Sequence, residues 1–71
     1  MNILTFDLNL LRVLDALLRE QSTVKAGERL RLSQPAISAA LKRLRLTLND
    51  PLLVRQGRRL VPTGYAKSIE I

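Results

Sequence analysis

The 71-residue chain has no cysteine, no histidine and no tryptophan, and only one tyrosine and one phenylalanine. Without thiols there is neither a disulfide nor a thiolate nucleophile. Without imidazole there is no Cys/His zinc site and no side chain suited to proton transfer near neutral pH. Those two absences argue against most enzyme classes and against any metal or cofactor. The scarcity of aromatics leaves no platform on which unpaired bases could stack, which argues against single-stranded RNA. No apolar run approaches the roughly 18 residues of a membrane span, and no basic segment opens the chain as in a secretory signal. A cytoplasmic protein is expected. The length allows one small domain, since a chain of this size buries only about 60–65% of its unfolded surface.

What is present is aliphatic and basic. The chain is 46% hydrophobic and 25% charged, a balance that fits a small helical domain. Twelve Lys and Arg against six Asp and Glu give a net charge of +6. The excess is local. Residues 1–24 carry Arg12 and Arg19 against Asp7, Asp15 and Glu20, and in residues 60–71 Lys67 and Glu70 cancel. Residues 25–59 hold nine bases against Glu28 and Asp50. Scattered surface charge serves solubility, but a one-sided concentration points to a polyanion, with nucleic acid favoured over a membrane surface.

The pattern along the chain predicts four helices and a hairpin. Asp7 is placed to cap a first helix over 8–20, with Leu10, Leu11, Val13, Leu14, Leu17 and Leu18 on its apolar side and an Asp15–Arg19 pair on its surface. Ser22 caps a short helix from Thr23 to Leu30, with Ala26, Gly27 and Leu30 facing inward. Gly27, costly inside a helix, implies the close approach of another helix. Ser33 caps a third helix, from Gln34 to Leu48, with Pro35 in its first turn. Ile37, Leu41, Leu44 and Leu48 form one stripe of that helix. Gln34, Ser38, Lys42 and Arg45 lie on one flank, Arg43 on the other, and Pro35 and Ala39 point away from the core. Leu46 also points outward and has no assigned role. Asn49 is the expected left-handed terminator, and Pro51 prevents continuation. Segments 52–55 and 60–62 read as short strands around a basic tip of Gln56, Gly57, Arg58 and Arg59. Thr63 caps a last helix.

Two helices joined by about three residues, the second capped by Ser and polar outside, form a helix-turn-helix, although periodicity alone fits a plain helical hairpin equally well. Co-location with the basic segment favours the former. A major groove about 12 Å wide admits one helix, and the N-terminal turns of that helix reach base edges. Gln34 can pair with adenine, Ser38 and Lys42 can bond bases or phosphates, and Pro35, Ala36 and Ala39 can touch thymine methyls. Arg55, Arg58 and Arg59 would reach a neighbouring backbone or a narrow minor groove. The alternative is a helical protein-interaction module without DNA readout.

Leu32-Ser33-Gln34-Pro35-Ala36-Ile37-Ser38, then Leu41 and Leu44, then Asp50-Pro51-Leu52-Leu53 and Arg55, resemble the winged helix-turn-helix of LysR-type transcriptional regulators. Asp7-Leu8-Asn9-Leu10-Leu11, Arg43-Leu44-Arg45 and Val61-Pro62-Thr63 are similar to the branch holding nodulation regulators and activators of aromatic catabolism. The resemblance runs from about Phe6 to Ala66. It implies a mainly α fold, with a three-helix core, a small β-hairpin wing and the start of a linker helix. Residues 1–62 would form the DNA-binding domain and 63–71 the linker start. It also implies double-stranded DNA as partner, with Gln34, Pro35, Ser38, Ala39 and Lys42 facing the major groove and the wing, with Arg55, Arg58 and Arg59, at the minor groove or its phosphates; Ser22, Thr23, Ser33, Ala36, Arg43 and Arg45 complete the expected DNA-binding set. A nucleoid-associated bacterial protein is expected, either cut from a longer regulator or a natural remnant of one. The full-length regulator would be a homodimer, with pairing weak or absent in these 71 residues. A small-molecule inducer would act only through an effector domain that is missing here.

Overall fold

Leucine at intervals of three and four makes the first helix amphipathic, and the computed structural model, which describes residues 8–69, forms α1 over Leu8–Glu20. Leu10, Val13, Leu14, Ala16 and Leu17 are buried, and Leu11 and Leu18 pack at the margin of the core. Arg19 Nε donates to Asp15 Oδ1 at 2.9 Å on the outer surface. Asp7, expected as the cap, lies outside the described residues.

The next two helices begin as their serines dictate. Ser22 Oγ accepts from the Lys25 N–H at the start of α2 (Thr23–Leu30), and Ser33 Oγ accepts from the Ala36 N–H at the start of α3 (Gln34–Leu48), each at 3.2 Å. They end on non-glycine residues in the left-handed region, Arg31 with φ 59° and Asn49 with φ 52°. Ile37, Leu41 and Leu44 are buried and Leu48 partly so. Each of the three helices packs on the other two.

Position 27 has no room for a side chain, for a reason other than the one expected. A Cβ there would stand 2.7 Å from the Leu32 carbonyl oxygen, in the turn itself, while Ile37 of α3 is at an ordinary 3.5 Å. The turn folds back because the Leu32 N–H donates to the Gly27 carbonyl at 2.9 Å. Backbone, more than a neighbouring helix, excludes the side chain.

The hairpin is shifted by one residue from the sequence expectation. β1 (Leu53–Gln56) pairs antiparallel with β2 (Arg59–Pro62), with Gln56 opposite Arg59. Gly57 and Arg58 alone make the turn, Gly57 at φ 63° as a tight two-residue hairpin requires. Leu52 is not in the strand: at φ 65° it is the centre of a three-residue turn in which the Leu53 N–H donates to the Pro51 carbonyl at 2.6 Å. Leu52, Leu53 and Leu60 are buried and carry the root of the hairpin into the helical core. A short α4 (Gly64–Ser68), capped by Thr63, adds Ala66 to that core. The fold is a mainly helical winged helix-turn-helix. Among the described residues no helix is long and apolar enough to cross a membrane.

Candidate nucleic-acid interface

The first turn of α3 is where the expected recognition residues gather, and its outer side is open. Ser33, Gln34, Pro35, Ala36, Ser38, Ala39, Lys42 and Arg43 are all exposed. Gln34 is oriented by its neighbour: its Nε2 donates to Thr23 Oγ1 of α2 at 3.3 Å, which ties the first residues of the two helices together. Ser22, Thr23, Gln34, Arg55 and Arg58 line a cleft of about 200 Å³ between the helix starts and the wing. A second groove, of about 450 Å³, runs between α3 and the wing and is lined by Thr23, Ser38, Arg45, Val54 and Arg55. Residues from α2, α3 and the hairpin thus meet on one surface. Arg43, on the opposite flank of α3, lines neither.

The cations of the basic segment divide into two sets. Arg29 pairs with Glu20 at 2.8 Å. Arg45 donates from Nε to the Pro51 carbonyl at 2.9 Å and from Nη2 to the Leu53 carbonyl at 3.0 Å, bracing the three-residue turn from α3. Arg59 Nη2 donates to Gln21 Oε1 at 2.6 Å. The side chains of Lys25, Arg31, Lys42, Arg43, Arg55 and Arg58 have no hydrogen bond or ion pair among the described residues. Two of the expected site residues, Arg45 and Arg59, are therefore engaged within the protein, and the unpaired cations lie on α2 and its C-cap, on the outer side of α3, and on the tip and first strand of the wing.

Two residues that sequence reasoning assigned no role shape this surface. Gln21, the residue that follows α1, accepts from the Leu60 N–H through its backbone carbonyl at 3.3 Å and from Arg59 through its side chain. Asp50 accepts from the Leu52 N–H and the Thr63 hydroxyl. The only local signal was the Asp50-Pro51 step after a helix; Gln21 carried none. No group of three or more acidic, Cys or His side chains able to hold a metal occurs among the described residues.

Residues 8–67 match the family of bacterial regulatory helix-turn-helix proteins of the lysR type. The chain belongs to the LysR family. It is the DNA-binding domain of such a regulator, in a family of regulators and not of enzymes. Over 63 residues it is 51% identical to nodulation protein D 2 of Rhizobium meliloti (strain 1021), a match covering 89% of this chain and 20% of that protein. The fold is similar to that of a probable transcriptional regulator from Pseudomonas aeruginosa, with a TM-score of 0.89 and 46% identity over 92% of this chain and 22% of that one. It is also similar to the BenM DBD in its complex with benA site 1 DNA, with a TM-score of 0.81 and 32% identity over 89% of this chain and 71% of that one. The chain spans about one fifth of the length of the curated relatives it matches.

Proposed function

We propose that this LysR-family domain reads duplex DNA with the N-terminal half of α3 in the major groove and the hairpin on the adjacent phosphates or minor groove. The observation that carries this is the convergence of Thr23, Gln34, Arg55 and Arg58 on one cleft, next to an exposed α3 face on which Lys42 and Arg43 have no side-chain partner among the described residues. Gln34 and Ser38 address base edges, and Pro35, Ala36 and Ala39 are small enough to meet thymine methyls. Lys42, Arg43, Arg55 and Arg58 supply phosphate contacts, and Ser22, Thr23 and Ser33 lie at helix starts where backbone N–H groups favour an anion. That the BenM DBD, similar in fold, stands in a complex with DNA supports the same use of the fold here.

Residues 1–62 form the recognition unit in this reading, and 63–71 begin a linker helix through which two copies meet on two half-sites of a bacterial nucleoid. Any small-molecule inducer binds outside these residues. α4 offers few apolar side chains to a partner, the exposed Tyr65 foremost, so pairing in free solution is weak and half-site spacing enforces it. Fluorescence anisotropy with a duplex selected from a random pool, repeated over a salt series, tests the proposal. A steep loss of affinity with salt and preference over a scrambled duplex are expected. Salt-insensitive binding, or none, would return the domain to a protein-interaction role.

A further inference from the structure

Gln21 has a backbone conformation that its side chain does not favour. Its φ is 53°, in the left-handed region that glycine and asparagine enter most readily. Its own N–H still closes onto the Leu17 carbonyl at 2.8 Å, so the geometry of the α1 terminus would suit glycine. What glycine could not supply is the amide oxygen that accepts from Arg59 at 2.6 Å, 38 positions along the chain. Its backbone carbonyl takes the Leu60 N–H as well, so two consecutive residues of β2 are held by one corner residue.

The consequences reach the DNA-facing surface from both ends. Arg59 pairs with Gln56 in the ladder, closing the two-residue turn that presents Arg58. Ser22 and Thr23 follow Gln21 directly, and Thr23 accepts from Gln34 at the start of α3. A continuous path therefore joins the wing tip, through Arg59, Gln21 and Thr23, to the first residue of the recognition helix. We infer that Gln21 is a positioning residue for DNA recognition, holding Arg59 and Leu60 so that Arg55 and Arg58 stand at a fixed distance from Gln34, and that Arg59 acts through Gln21 and not as a phosphate contact. This assignment rests on the DNA-binding reading above.

The double variant Gln21→Arg, Arg59→Gln exchanges donor and acceptor with net charge unchanged. Arg59→Gln alone is expected to weaken binding to the selected duplex by about three- to tenfold, as for loss of one exposed charge-assisted bond. The exchange should return affinity to within about twofold of the native chain, and its preference for selected over scrambled duplex with it. In the DNA-free protein, amide exchange over 55–62 should quicken in Arg59→Gln and slow again in the double variant, a change that a role confined to phosphate contact would not produce. A native chain that binds, with a double variant as weak as Arg59→Gln and unaltered wing exchange, would overturn this inference alone. A native chain that bound no duplex would overturn both readings.

Discussion

The Thr63 hydroxyl donates to Asp50 Oδ2 at 2.7 Å, and the same carboxylate oxygen accepts from the Leu52 N–H at 2.7 Å. Thr63 Oγ1 in turn accepts from the Ala66 N–H at 3.1 Å, capping α4. The Thr63 N–H closes the figure by donating to the Leu52 carbonyl at 2.9 Å. One carboxylate thereby joins the end of α3, the root of the wing and the start of α4, and it holds a buried leucine at φ 65°, a conformation that costs an L residue roughly 1–2 kcal/mol. The bond geometry fixes the direction in which the hairpin leaves the helical core.

Thr63→Val keeps the shape of the side chain and removes both hydroxyl bonds. A lost cap and a lost bond to a carboxylate together should destabilise the domain by about 1–3 kcal/mol. At about 4–8 °C per kcal/mol for a domain of this size, thermal melting followed by circular dichroism should fall by at least several degrees. An unchanged midpoint would mean that Asp50 does not hold Thr63 in solution.

Gly27→Ala reverses the usual effect of replacing a helical glycine. Helix propensity alone would gain about 1 kcal/mol. The new Cβ, however, would stand 2.7 Å from the Leu32 carbonyl, and backbone cannot yield as a flexible side chain can. A net loss of about 1–3 kcal/mol is expected from such overpacking. Chemical denaturation measures it, and a stabilised variant would show that the turn relaxes freely.

Gln34→Ala should weaken binding to the selected duplex by about 1–3 kcal/mol while changing binding to a scrambled duplex much less, because a base edge is left without its partner. Thr23→Val, which removes only the hydroxyl that orients the Gln34 amide, should show the same pattern at smaller amplitude. Equal losses on both duplexes would assign Gln34 to the backbone.

Arg58 and Arg45 should separate cleanly. Arg58→Ala removes a cation with no side-chain partner among the described residues, so binding to every duplex should weaken and the salt slope should fall by about 0.9, with melting unchanged. Arg45→Ala removes two bonds to the Pro51 and Leu53 carbonyls and should lower stability by about 1–3 kcal/mol before DNA is added. If Arg45→Ala melted as the native chain and lost salt dependence instead, its guanidinium would belong to the interface.

The helices were legible because their signals are local. Ser22 and Ser33 cap the turns that follow them, Asn49 takes the left-handed conformation expected of it, and the Ile37, Leu41, Leu44 stripe turns inward. Leu52 was misread as strand because apolar character near a proline looks the same in a strand and in a tight turn. Only the carboxylate of Asp50 and the carbonyl-directed guanidinium of Arg45 show which it is. Among the candidate site residues, composition could count the arginines of the wing but not divide them. Arg55, Arg58 and Arg59 differ in nothing but their neighbours.

The sequence by itself therefore determined the helices and their inward faces, since caps and stripes depend on residues within one or two turns of one another, and it located the excess charge and the family resemblance, which need only the order of residues along the chain. Tertiary structure alone decided how those elements are joined. The bond between Gln21 and Arg59 spans 38 positions, and that between Asp50 and Thr63 spans 13. No periodicity links such residues. Folding of the core brings them together, and only then does a polar side chain acquire the partner that makes it a strut of the scaffold or leaves it free to meet DNA.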